Sequence, residues 1–403
     1  MDQRIDSTTS SNTHSISESE LISFLIGSAV DNQYSVAVWR LPGESTNHLI
    51  ISRQLIKLNT DDALEDLATG FIFAPFDPSA DRTYLKADLS FSFQNKEMCP
   101  PSTPLEHSSA EWLRIELDAK VERHVSPYTS NYIPPLSRKT TFVDTIATAV
   151  EQIQSGAFEK IVPSRAVLVD LSSSFDIIKT FHELCEANPN ALISFVSTPN
   201  HGTWLGATPE LLACVEEGRI FKTIALAGTQ AYTGQNLKTV AWTQKDIEEQ
   251  ALVERYIISC FKKIRLREYE EHGPKTVVAG NLLHLRSEFK VDMHATNFPQ
   301  LGSVMLKLLH PTSAVCGTPL EPSLEFLKRY EGYDRQFYAG YLGPVNFNNS
   351  THVFVNLRCA QLIGNQAIVY AGAGVTIDST PEQEWVETEM KMNTLRSVLT
   401  KSI

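Results

Sequence analysis

The segment from Asn356 to Asn393 constrains the fold of this 403-residue chain more than any other. Two β-patterned runs, Val353 to Cys359 and Gln366 to Ala371, lead to a glycine turn, Ala371-Gly372-Ala373-Gly374. A helix is expected to follow. Ser379 or Thr380 can cap it, Pro381 suits its first turn, and acidic residues crowd the end where the macrodipole favours them. At about 100° per residue, Glu384, Glu387 and Lys391 share one face, and Trp385, Met392, Leu395 and Leu399 form an apolar stripe about 90° away. One helix thus carries a core face and, beside it, a charged face at the edge of the core. Arg358, the turn's backbone, two carboxylates and a lysine can line one pocket, a set suited to an anionic ligand held partly through a divalent cation. Taken singly, each piece more often reads as a plain turn or a solvated, salt-bridged helix face.

The order of the pieces narrows the reading. Arg-Cys-Ala, then A-G-A-G, then E-x-x-E-x-x-x-K resembles the C-terminal signature of the chorismate-using enzymes. That family includes isochorismate, salicylate, anthranilate and aminodeoxychorismate synthases.

Composition excludes several classes. Hydrophobic content of 42% and charged content of 20% describe a soluble globular protein. The net charge of −12 comes without any basic stripe, so nucleic acid is not an expected partner. No apolar run is long enough to span a membrane. The polar N-terminus lacks the apolar core of a signal peptide. Cys99, Cys185, Cys214, Cys260, Cys316 and Cys359 are scattered without a C-x-x-C pair, the pattern of reduced, mostly buried thiols in a cytoplasmic protein rather than a zinc or disulfide frame.

Three regions are expected: a disordered polar tail over 1–18, a divergent part of the sheet framework over 19–139, and a catalytic region over 140–403. In the second, strand patterns run from Ser35 to Leu41, His48 to Leu55, Gly70 to Phe76 and Tyr84 to Phe93. The alternation Leu85-Ala87-Leu89-Phe91-Phe93 implies a half-buried antiparallel sheet. Residues 94–139 read as a polar, proline-bearing surface excursion. No chemical motif is found in this third.

In the middle, Thr140 or Thr141 can cap a helix running to about Ser155, and a strand is expected over Phe158 to Val167. Lys160 there reads as an edge-strand charge, but K-I-V-P-S-R resembles the block whose lysine marks family members that use water as nucleophile. Leu205-Gly206-Ala207-Thr208-Pro209-Glu210-Leu211-Leu212 resembles the family's G-A-S-P-E-L-L segment, and Glu210 lies fifty residues after Lys160, the family's spacing. A long helix is expected from Lys245 to about Tyr269, with Thr243 and Asp246 forming a capping box. Glu249 falls within about 60° of Val253, Tyr256 and Cys260, whereas Glu248 is rotated about 100° away. Glu249 is therefore the buried acid, and a buried acid needs a partner or a metal. The family's K-D-x-x-E-H motif places its metal-binding glutamate at the same position, although Gln250 replaces the usual His and Ala225 the usual Pro before Ala-Gly-Thr. His284 and His310 match family H-L and H-P-T segments, the first beside substrate and the second structural. Arg335, Tyr338 and Gly317 match positions near the pocket.

The resemblance implies an α+β fold of two stacked antiparallel sheets with helices outside and the site between the sheets. It implies chorismate as substrate and Lys160 and Glu210 as the catalytic base and acid. It also implies substrate contacts from Gly228, Thr229, His284, Arg358, Gly372, Ala373, Gly374 and Lys391. Mg²⁺ would be held by Glu249 and Glu387, with Glu384 acting through water. Lys160 favours water over ammonia, hence isomerisation of chorismate to isochorismate by addition at C2 and loss of the C4 hydroxyl. A salicylate-forming enzyme, an aminodeoxychorismate- or anthranilate-type component, and a non-catalytic subunit are the alternatives. A monomer or weak dimer without a glutamine amidotransferase subunit is expected, feeding menaquinone or siderophore synthesis.

Overall fold

The computed structural model describes residues 17–59, 61–94, 97–99, 127–130 and 132–400. Nearly all of the expected N-terminal tail, and most of the expected excursion over 94–139, lie outside the described residues. Chain order begins with a helix, Glu18–Asp31, then β1 (Ser35–Arg40), β2 (Asn47–Ser52), β3 (Leu55–Leu58), β4 (Gly70–Ala74), β5 (Arg82–Lys86), β6 (Leu89–Gln94) and β7 (Glu97–Cys99). Helix Lys139–Gln154 leads to β8 (Lys160–Ile161) and β9 (Ser164–Asp170). After helix Ile177–Ala187 come β10 (Leu192–Thr198), β11 (Gly202–Thr208), β12 (Leu211–Glu216) and β13 (Ile220–Ala231). Helix Gln244–Lys263 precedes β14 (Glu270–Ala279) and β15 (Leu282–Asp292). Helix Leu301–Leu309, β16 (Gly317–Thr318) and helix Leu320–Tyr330 follow. The chain closes with β17 (Tyr341–Val345), β18 (Thr351–Val355), β19 (Cys359–Ile363), β20 (Gln366–Gly372) and helix Pro381–Leu399.

Eighteen of these strands form two nine-stranded antiparallel sheets, ordered β7-β6-β2-β1-β10-β11-β19-β20-β9 and β14-β15-β13-β12-β18-β17-β4-β5-β3, while β16 and β8 form a two-stranded third. The expected α+β architecture is what forms. Period-two alternation explains its layers. In the first sheet Val36, Val38, Leu49 and Ile51 face a cluster shared with Leu25, Phe181 and Leu395 of the outer helices. Ala37, Trp39 and Ile50, one residue out of phase, join the core containing Phe71, Phe73 and Phe354 of the second sheet. The N-terminal third therefore fills one end of both sheets.

The chain passes repeatedly from one sheet to the other, and each passage interrupts a run that looks continuous in sequence. The run Tyr84 to Phe93 divides at Ala87-Asp88 into β5 of the second sheet and β6 of the first. Val353 to Cys359 divides into β18 and β19 in the same way, and Phe158 to Val167 divides at Val162-Pro163. Pro163 has no N–H to extend a ladder, and β8 pairs with β16 instead.

Some helix ends also differ. Helix Gln244–Lys263 stops short of Tyr269 because Arg265 takes a positive φ of 60° and the Leu266 amide donates to the Phe261 carbonyl, closing the end in a left-handed cap. The expected caps from Thr140, Thr141 and Thr380 are not made: Arg138 and Thr380 occupy the N-cap positions without a side-chain bond. Ser379 instead accepts the Thr376 amide. The Glu18–Asp31 helix was not anticipated, although Ser17 and Glu20 form a complete capping box that is readable as S-E-S-E.

Candidate active site

Two of the passages between sheets lie side by side and hold two charged groups. The first carries Pro209 and Glu210 from β11 to β12, and the second carries Asn356, Leu357 and Arg358 from β18 to β19. The Val355 amide donates to the Glu210 carbonyl at 3.0 Å, and the Ala207 amide to the Arg358 carbonyl at 3.0 Å. The Thr208 hydroxyl donates to the Val355 carbonyl at 2.6 Å. Arg358 sits at φ 45°, a conformation an L residue adopts only under constraint, and these bonds supply the constraint.

A cavity opens at this junction, lined by Glu210, Gly228, Thr229, Glu249, His284, Arg358, Gly372, Gly374 and Lys391 among its polar and glycine positions. Val162, Leu226, Tyr338, Leu357 and Tyr370 supply apolar walls. Tyr338 and Tyr370 stack with centroids 5.2 Å apart. The cavity thus brings together most of the positions singled out in the sequence.

The Arg358 guanidinium donates to the Ala279 carbonyl at 2.9 Å and to His284 Nε2. A guanidinium has no acceptor, so Nε2 carries no proton. His284 Nδ1 then donates to the Gly228 carbonyl, 2.6 Å away. Burial, with Arg358 beside it, holds the imidazole pKa well below its ordinary value, consistent with that neutral tautomer. Both ring nitrogens are spent on protein partners, so His284 positions Arg358. Gly228 occupies the bulge in β13 at φ 67°, where a Cβ would press on Asp246 and Trp242 at 3.2 Å.

Glu210 is 6% exposed. Burial raises its pKa to about 7, against the opposing pull of Lys160, Lys391 and Arg358. A carboxyl group in this state can donate a proton near neutral pH.

The facing wall comes from two helices. Glu249, on Gln244–Lys263, is buried as its helical phase requires, while Glu248 is exposed. Burial would raise the Glu249 pKa, but Lys160 and Lys245 outweigh it and hold the carboxylate below its ordinary value. Lys160 Nζ lies 2.9 Å from Glu249 Oε1, an ion pair off the direction of a well-formed hydrogen bond. Lys160 is fully buried beside Gly374 and Glu249 and does not reach the cavity surface, so it is not the exposed edge-strand charge its sequence position suggests.

Glu384 and Glu387 stand on helix Pro381–Leu399 with Lys391. Lys391 Nζ donates to Glu387 Oε1 at 2.7 Å and to the Gly372 carbonyl at 2.9 Å. Lys245 Nζ donates to Glu384 Oε1 at 2.5 Å. Burial and the neighbouring Glu387 push the Glu384 pKa up to about 7.

The Ala371–Gly374 segment is not a free turn. Gly372 ends β20, paired with Ser164, and the Ala373 amide donates to the Pro163 carbonyl at 3.1 Å. Ala373 is fully buried and is not among the residues lining the cavity. Gly374 has a steric reason: a Cβ there would collide with Glu249 Oε1.

The donor chemistry of the helix wall fits a hard cation, since Mg²⁺ takes oxygen ligands and three carboxylates gather here. Glu384 Oε2 is buried without a hydrogen-bond partner. The carboxylates do not form a closed cage. Among the described residues, the one set of three metal-ligating side chains whose ligand atoms lie within 4.8 Å of one another is elsewhere.

Lys245 was not singled out from the sequence. Its spacing of four from Glu249 on one helix was the available signal. Tyr370 and the buried Glu331 carried no local motif. Glu331 accepts from Arg335 and from Ser164 and so ties helix Leu320–Tyr330 to the start of β9. His310 is structural, bonded to the Pro75 carbonyl at 3.1 Å.

A family model described as chorismate binding enzyme matches residues 86–400 of the chain. Isochorismate synthase EntC of Escherichia coli is 26% identical over 307 residues, covering 74% of this chain and 78% of its own. Isochorismate synthase DhbC of Bacillus subtilis is 27% identical over 277 residues, covering 66% and 69%. The solved structure of the menaquinone-specific isochorismate synthase MenF from Escherichia coli superposes with a TM-score of 0.72 at 22% identity, covering 93% and 91%. Anthranilate synthase component I from Streptococcus pneumoniae superposes at 0.68 with 17% identity, covering 90% of each chain. At these identities the superpositions establish a shared fold.

Proposed function

Because the chain belongs to the chorismate binding enzyme family, we propose that it is a Mg²⁺-dependent isochorismate synthase that adds water at C2 of chorismate and expels the C4 hydroxyl. The observation that carries this reading is the buried Glu210 at the strand passages, whose pKa burial raises to about 7 against the pull of Lys160, Lys391 and Arg358. A proton donor that stays protonated near neutral pH is what departure of a hydroxyl as water requires.

Arg358, oriented by His284, and Lys391 would take one carboxylate of the substrate through charge-assisted hydrogen bonds. Glu249 and Glu387, with Glu384 through water, would hold Mg²⁺. When bound, the ion neutralises the ring carboxylate and stabilises charge developing on it. Lys160 takes a proton from water as its oxygen bonds to C2, both ring double bonds shift by one position, and Glu210 protonates the leaving C4 oxygen. The incoming and departing water molecules balance. To act as a base, Lys160, buried beside Gly374 outside the cavity lining, must both give up its pairing with Glu249 and swing its ammonium into the cavity, which is why Glu249 needs another partner for its charge.

Incubation of the purified chain with chorismate and Mg²⁺, without glutamine or a second protein, tests the reading by product identification. Isochorismate is the expected product. Salicylate and pyruvate as main products at neutral pH would move the chain to the salicylate-forming branch, and no turnover would support a binding subunit.

A further inference from the structure

Away from the cavity, toward the hairpin ends of β12 and β18, a second set of chemically competent side chains converges. Cys214 and His352 are direct cross-strand partners, and Glu216 follows on the same face of β12. One ligand atom from each of the three lies within 4.8 Å of the other two. The alternate residues point the other way, with Val215 against Gly302 of the Leu301–Leu309 helix. Cys214 is 1% exposed, while Glu216 and His352 are partly open to solvent. The charged neighbours are Lys222, paired with Glu216 at 2.7 Å, Glu44 near His352, and Glu288 near Cys214.

We propose that Cys214, Glu216 and His352 form a Zn²⁺ site that clamps β12 to β18, separate from the carboxylates of the helix wall. Thiolate, imidazole and carboxylate together select a borderline-soft ion over Mg²⁺, and three protein ligands leave the fourth tetrahedral position to water. Binding requires the Cys214 thiol to lose its proton to solvent. Burial pushes that thiol up to about 12, so affinity rises with pH. Lys222 Nζ lies 2.7 Å from each Glu216 oxygen, so the ion takes one of them by displacing half of that pairing. The clamp would have a structural consequence for the neighbouring cavity. Strand β12 begins directly after Glu210, and β18 ends three residues before Arg358. The inference does not depend on which reaction the cavity performs.

The test is a Co²⁺ titration of the chelator-treated full chain, followed by Zn²⁺ displacement. A thiolate-to-cobalt charge-transfer band should saturate at one equivalent, persist in excess Mg²⁺ and disappear when Zn²⁺ is added. Cys214→Ser should abolish the band, and His352→Gln and Glu216→Gln should each weaken Co²⁺ binding about tenfold or more. Zn²⁺ should raise the wild-type unfolding temperature and leave that of Cys214→Ser unchanged. If Cys214→Ser fails to fold, the two glutamine variants decide the matter through their Co²⁺ affinities. No band in the wild type, a band retained in Cys214→Ser, or unweakened binding in both glutamine variants would overturn the site.

Discussion

On the strand-passage wall of the cavity Glu210 is 6% exposed, and on the helix wall Glu249 is 8% exposed. Burial of both is nearly the same, yet the first carboxyl is driven up to about 7 and the second is held below its ordinary value. The difference lies in the partners. Glu249 has the Lys160 ammonium 2.9 Å away and Lys245 behind it, whereas Glu210 feels its cations from further off while Arg358 is committed to Ala279 and His284. Desolvation favours the neutral acid unless a charge stands close enough to oppose it. Glu210 therefore stores a proton and Glu249 stores negative charge, which is the division that the proposed acid-assisted, cation-assisted exchange of water for the C4 hydroxyl requires.

Breaking the helix wall should have the largest effect. Glu249→Ala and Glu387→Ala should each reduce chorismate turnover to background, and EDTA should do the same to the wild type. Near-normal turnover with EDTA present would refute the metal role. Removing the acid–base pair comes next. Lys160→Ala and Glu210→Ala should each lose about 10²–10⁴-fold in rate, in both directions of the reaction, with Mg²⁺ and chorismate binding largely retained. Substantial hydration activity in Lys160→Ala would reduce that residue to a structural partner of Glu249. Arg358→Ala should raise the KM for chorismate roughly 10–100-fold, the scale of a lost hydrogen bond to a charged group. Unchanged KM and kcat together would count against Arg358 as a carboxylate ligand.

The smallest effect concerns stability. Since the folded pKa of Glu210 lies above its unfolded value, the native state binds the extra proton between the two. Its contribution is fully present below about 4.5 and is lost as pH rises through about 7. Glu210→Gln should therefore show a flatter decline of unfolding temperature across that window than the wild type. Parallel pH profiles of the two proteins would contradict the raised pKa.

The two walls were not equally legible in the sequence. Helical phase alone separated the buried Glu249 from the exposed Glu248, and it placed Glu384, Glu387 and Lys391 together, because a helix converts spacing directly into direction. The strand passages gave no such signal. Leu85, Ala87, Leu89, Phe91 and Phe93 alternate without a break although the chain changes sheets between Ala87 and Leu89. Both sheets bury the same kind of face, so hydrophobic period cannot mark the transfer. The burial of Lys160 was hidden for a related reason. Its partner Glu249 is distant in sequence, and a lysine at a strand start reads by itself as a solvated edge. Ala373 was placed in the site by motif order alone. The structure turns its amide onto the Pro163 carbonyl, because the segment continues a strand instead of forming an open loop.

The protonation contrast between Glu210 and Glu249 can be measured directly by infrared spectroscopy at a pH just below 7, in a Glu384→Gln background that removes the other carboxyl raised to about 7. The account predicts a protonated-carboxyl C=O band that disappears in Glu210→Gln and survives in Glu249→Gln. A band that persists in Glu210→Gln, or that vanishes in Glu249→Gln, would contradict it.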